Sequence, residues 1–98
     1  MLRHIVMWKF RPGTEAERDL FLTGLQWLYG AIPELKSCQV LRGMEGSDYD
    51  AVLISEFADQ AALEAYKNDP RHKAVSALCK SIRTDRAAVD CLLPDPEE

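Results

Sequence analysis

The chain has 98 residues and a formal charge of −4, with 47% hydrophobic and 29% charged side chains. This length fits one domain, the composition is that of a folded globular chain, and an acidic balance with no basic cluster argues against a nucleic-acid partner. No apolar run approaches the roughly 18 residues that cross a bilayer. Cys38, Cys79 and Cys91 form an odd set with no Cys-x-x-Cys spacing and no signal peptide, so the expectation is a cytoplasmic protein with reduced thiols.

The first element is Arg3-His-Ile-Val-Met-Trp-Lys-Phe10, rich in strand formers. Alternation puts His4, Val6, Trp8 and Phe10 on one face and Ile5 and Met7 on the other. Arg11-Pro-Gly13 signals a turn. A helix is then predicted from Thr14, with Glu17 three residues later as a candidate capping box. Leu20, Phe21, Leu25 and Leu28 supply its apolar spacing, and it should end near Gly30, before Pro33. Lys36 to Arg42 reads as a second strand, Gly43 to Asp48 as a polar hairpin loop, and Asp50 to Phe57 as a third strand. In that third strand Val52 and Ile54 share one face, and Leu53, Ser55 and Phe57 share the other. Asp59 can cap a short helix carrying Ala62, Leu63 and Tyr66. Asp69-Pro70 restarts a helix with an apolar stripe of Val75, Leu78, Cys79 and Ile82, and His72 sits at its edge. A final strand is predicted from about Arg86 to Leu92. Residues 1–93 thus read as one domain and 94–98 as an acidic tail.

This order is the ferredoxin-like β-α-β-β-α-β arrangement of the α+β class, an antiparallel sheet with helices on one face. Helices can shield only that face, yet Ile5, Met7, Val52, Ile54 and Val89 populate the other. An exposed apolar sheet face of that extent is expected to pair with a second copy, as a closed twofold homodimer.

The ordered set Arg3 to Phe10, Ile32-Pro33, Tyr49-Asp50, Tyr66 with Asp69-Pro70-x-His72, and Arg86-Ala-Ala-Val-Asp90 resembles the stress-responsive A/B-barrel (Dabb) family along nearly the whole chain. The resemblance implies a dimeric α+β barrel in which two sheets pack face to face. The family includes stress-induced proteins, many members of unknown role, and a plant cyclase that closes a polyketide ring without a cofactor. That cyclase uses a tyrosine and a histidine six residues later, the spacing of Tyr66 and His72, and a first-strand histidine in the place of His4 lines its pocket.

Each candidate residue has an ordinary alternative. His72 suits a general base near neutral pH, or it satisfies a backbone carbonyl at a helix start. Tyr66 suits a donor to a developing enolate oxygen, or it packs in the core and needs a hydroxyl partner. In the ferredoxin-like order the last strand runs beside the first and brings His4 toward Asp90, either as a supporting imidazole–carboxylate pair or as a polar pair fixing strand register. Val6, Trp8, Leu20, Phe21, Leu53, Ser55, Cys79 and Ala88 either line a pocket for a small apolar or aromatic ligand or form the core. No metal motif or phosphate loop is present, and no cofactor is expected. Two functions stay open. One is a ligand-binding or non-catalytic dimer. The other is a cofactor-free, polyketide-cyclase-like enzyme with His72 as base and Tyr66 as oxyanion donor.

Overall fold

The computed structural model describes residues 1–94. The predicted acidic tail lies outside them apart from Pro94. Among them four strands, β1 (Leu2–Phe10), β2 (Ser37–Arg42), β3 (Ala51–Phe57) and β4 (Arg83–Leu92), and three helices, α1 (Glu15–Trp27), α2 (Gln60–Asn68) and α3 (Pro70–Lys80), follow in the order β1-α1-β2-β3-α2-α3-β4. The strands form one antiparallel sheet in the order β2-β3-β1-β4. This is the ferredoxin-like topology, with the second helical segment broken in two.

The break is local chemistry. Asp69 is extended and Pro70 opens α3, where its missing N–H costs nothing. The Asp69 carboxylate accepts from the Arg71 backbone N–H at 2.8 Å. Asp59 caps α2 in the same way, accepting from the Ala62 N–H at 2.9 Å. The start of α1 differs from the sequence expectation. Thr14 stands at the N-cap but makes no side-chain cap bond. Its hydroxyl instead donates 2.6 Å to the Arg11 carbonyl, so the turn takes the hydroxyl and the predicted capping box with Glu17 does not form.

The helix-facing side of the sheet carries Leu2, His4, Val6, Trp8, Phe10, Leu53, Ser55 and Phe57, all buried. Phe21, Leu25, Leu28, Leu63 and Tyr66 close over them from the helices. Leu20 corrects the sequence reading, since it is 63% exposed. Phe21, Leu25 and Leu28 follow the helical four-and-three spacing, and Leu20 sits about 100° to one side of that stripe. Leu22 is buried in its place. Leu78 is likewise exposed, because α3 buries itself at Cys79 and packs against α1 rather than into the sheet centre. Strand β4 begins at Arg83, three residues before the predicted start. Its first residues are polar, and pairing with Phe10 and Lys9 across a register shift holds them in the sheet without an apolar signature.

The other sheet face is a continuous apolar surface. Ile5 lies directly between Ile54 on β3 and Val89 on β4, and Met7 between Val52 and Ala87. Val89 is 53% exposed, and Leu41, paired with Val52, extends the patch. No helix among the described residues covers it.

Candidate functional site

The site arises where the helix layer stops short of the sheet edge. Strand β4 packs mainly on β1, while α3 packs on α1. The helix-facing side chains of β4, namely Arg86, Ala88 and Asp90, therefore stay exposed. A cleft of about 480 Å³ opens between them and α3. His4 and Arg86 line it from the sheet, Lys67 from the end of α2, and His72, Lys73, Ser76 and Lys80 from α3. A smaller chamber of about 60 Å³ shares His4, His72, Ser76 and Arg86 with the cleft and extends to Val6, Trp8, Phe21, Leu25, Leu53, Cys79 and Arg83.

His4 and Asp90 face each other across the β1–β4 register, with Nδ1 to Oδ1 at 2.5 Å. The carboxylate accepts from Nδ1–H, which leaves Nε2 as the basic nitrogen. Phe57 meets the His4 ring edge-on at 6.5 Å between centroids. Burial holds His4 below its ordinary pKa of 6.5 and outweighs the opposing pull of Asp90, while Lys67 and Arg86 add to the lowering. His72 stands in the same cleft. Its Nδ1 lies 3.3 Å from the Lys67 carbonyl, and burial with the nearby His4 lowers its pKa as well.

Tyr66 is 1% exposed and its ring packs 4.5 Å from that of His72 and 5.1 Å from that of Phe57. It does not line the cleft or the chamber. Its buried hydroxyl has no partner among the described residues, and burial raises its pKa far above the ordinary phenol value. Tyr66 thus sets the His72 ring from behind.

Among the pocket residues expected from sequence, Val6, Trp8, Phe21, Leu53 and Cys79 come together around the chamber. Leu20 points away into solvent, and its place as a pocket residue is corrected accordingly. Ser55 is fully buried but outside the lining, its hydroxyl donating 3.2 Å to the His4 carbonyl. Ala88 is exposed beside the cleft and does not line it. Burial pushes the Cys79 thiol up and that of Cys38 to about 11, the opposite of an activated nucleophile. Among the described residues no three His, Cys, Asp or Glu side chains gather as a metal site. Sequence reasoning passed over Lys73, Ser76 and Lys80. Their three-and-four spacing on α3, beside His72, was the available signal.

The two lowered imidazoles tie stability to pH. An unfolded histidine binds its proton near 6.5, and the folded sites bind it only at lower pH. Their contribution is whole above 6.5 and is lost as pH falls through that value toward the folded pKa values, because the unfolded chain takes up protons first. Asp90→Asn removes the influence that raises His4. Its pKa should fall further below that of the parent, as read by NMR titration of the imidazole carbons. An unchanged or higher value would show that Asp90 does not act on His4 as described.

The family model of the stress responsive A/B barrel domain matches residues 2–92. No curated protein matches the chain. Among solved structures, a dimeric ferredoxin-like protein of unknown function from Thermobifida fusca is 27% identical, with a TM-score of 0.83 over 94% of this chain and 90% of that one. A Dabb family protein with a ferredoxin-like fold from Mesorhizobium loti is 26% identical, with a TM-score of 0.79 over 96% and 97%. A dimeric protein of unknown function and ferredoxin-like fold from Bacteroides fragilis reaches a TM-score of 0.87 at 23% identity over 94% and 95%, a likeness of fold alone. With that match running through all four strands and all three helices, the chain belongs to the stress responsive A/B barrel domain family.

Proposed function

We propose that the protein is a cytoplasmic homodimer joined through the apolar face of its sheet, and that each protomer binds a small apolar or aromatic molecule in the cleft between α3 and β4. The observation that carries this reading is the division of labour across one sheet. One face is greasy and uncovered, while the other opens beside β4 into a cleft continuous with a smaller chamber walled in part by Val6, Trp8, Phe21, Leu25 and Leu53. Dimeric relatives of the same fold support the pairing. A fold that seals its core fully over β4 would leave no such cleft.

Fluorescence titration with the neutral dye N-phenyl-1-naphthylamine tests the ligand reading. The expected result is saturable binding at one dye per protomer, abolished by Ser76→Trp, which fills the cleft from α3. Binding that survives Ser76→Trp, or no saturable binding, would remove the cleft from consideration as a ligand site.

A second reading is a cofactor-free, polyketide-cyclase-like enzyme with His72 as general base and Tyr66 as oxyanion donor. One observation favours it. Two imidazoles share the cleft, and burial shifts both toward the unprotonated form that a base requires. It asks more of Tyr66, whose hydroxyl would have to reach a bound molecule from behind His72. Ligand binding needs no such movement and is the stronger reading.

A further inference from the structure

The charge around the cleft is at odds with the charge of the chain. The protein as a whole carries a formal −4. The cleft is lined by four permanent cations, Lys67, Lys73, Lys80 and Arg86, and by no acidic side chain. A fifth, Arg83, borders the smaller chamber behind it. Elsewhere Arg3 pairs with Glu56, Arg18 and Arg42 with Asp19, and Arg71 with Asp69, while Arg11 donates to the Ser81 carbonyl. Among the described residues none of the four cleft cations enters an ion pair. The one carboxylate that touches the lining, Asp90, is bonded to His4.

Like charges gathered in a concavity repel one another, and the walls concentrate their field. Such an arrangement is relieved by an anion. The Ser76 hydroxyl, in the same lining, offers a neutral donor to the same group. Behind it Val6, Trp8 and Leu53 supply the sheet-side apolar wall of the smaller chamber, which His4, His72, Ser76, Arg83 and Arg86 also line. The site is therefore cationic at the mouth, with apolar side chains in part of the small chamber behind it.

We propose that the ligand of this cleft is a small amphipathic anion, a carboxylate or phosphate on an aromatic or short alkyl body, with its charged head among Lys73, Lys80 and Arg86 and its body in the cleft against the His4 and His72 rings. This inference rests on the reading of the cleft as a ligand site and adds the class of molecule it takes. A neutral aromatic molecule would occupy the cleft and leave the cations uncompensated. A charge-assisted contact with two or three of them separates the two classes by at least about tenfold in affinity.

Three probes of one shape test it: 2-naphthoate, 2-naphthyl phosphate and the neutral 2-naphthamide. Each is titrated into the intact protein at low salt and followed through the His4, His72 and Ser76 resonances. At least one anion should bind about tenfold or more tightly than the amide, and added salt should weaken the anion alone. The tighter anion identifies the head group. Lys80→Gln with Arg86→Gln should abolish that preference while the amide binds as before. These two side chains are exposed, so the double variant should keep the parent's circular dichroism and melting behaviour. If the amide binds as tightly as both anions, or if the double variant keeps the preference, the anion assignment fails and the cleft remains a site for neutral ligands. If none of the three moves the cleft resonances, the ligand reading fails and takes this inference with it.

Discussion

Ile5→Asp combined with Ile54→Asp is expected to convert the proposed dimer to folded monomers. The two isoleucines are directly paired across β1 and β3, at the middle of the uncovered face. Each is partly exposed in the single chain, so the substitutions cost little in the protomer itself. Across a face-to-face contact each isoleucine removed from water contributes up to about 1.5–3 kcal/mol, and an unpaired carboxylate there is penalised further. Twofold symmetry doubles every change, to four per dimer. At about 1.4 kcal/mol for each factor of ten, the dissociation constant should rise by roughly 10⁴ or more. Sedimentation velocity at micromolar concentration checks this, with far-UV circular dichroism to show that the fold persists. A double variant that sediments as a dimer with the parent's affinity would place the contact on another surface.

Phe21→Ala should have the largest effect on protomer stability. Phe21 is 2% exposed and meets Trp8 edge-on at 5.0 Å and Phe10 at 6.1 Å. Truncating a buried phenylalanine costs about 3–5 kcal/mol through lost transfer and the void left behind. In a domain of this size each kilocalorie shifts the midpoint by about 4–8 °C, so a fall of more than about 12 °C is expected at fixed protein concentration. Phe21 also walls the chamber of about 60 Å³. The void left by its ring should join that chamber and admit a bulkier aromatic body. Apolar ligands should therefore recover part of the lost stability by binding the folded state. Thermal melts with and without N-phenyl-1-naphthylamine measure both effects. A loss below about 1 kcal/mol, with no gain from the dye, would mean that the surrounding side chains collapse into the space.

Much of the fold was legible because two-residue alternation is a strong signal in this chain. In β1 it separates His4, Val6, Trp8 and Phe10 from Ile5 and Met7, and the structure buries the first four. The Asp69-Pro70 corner was legible for a related reason, since capping and proline geometry act over two or three residues. The contact of His4 with Asp90 follows from antiparallel counting once β4 is placed beside β1. What stayed hidden depends on how whole elements lie on one another. Nothing local to Arg86 or Lys80 reveals that α3 stops short of β4. The first residues of β4, Arg83 to Asp85, lack any apolar pattern, and the edge of a sheet tolerates that. Leu20 looked like a core residue because residues next to a helical stripe share its composition. The hydroxyl of Tyr66 was expected to have a partner, as buried phenols usually do, and the absence of one among the described residues is a property of the packing around Phe57 and His72.

Strand β1 holds two specifications interleaved at single-residue pitch. On the proposed reading, substitution at 4, 6 or 8 would retune what the protein recognises and substitution at 5 or 7 would retune whom it pairs with, so the two traits could drift separately. The same arrangement makes the strand intolerant of slippage. A one-residue slip of β1 against β3 and β4 would exchange the inner and outer sets in one step and abolish both traits together.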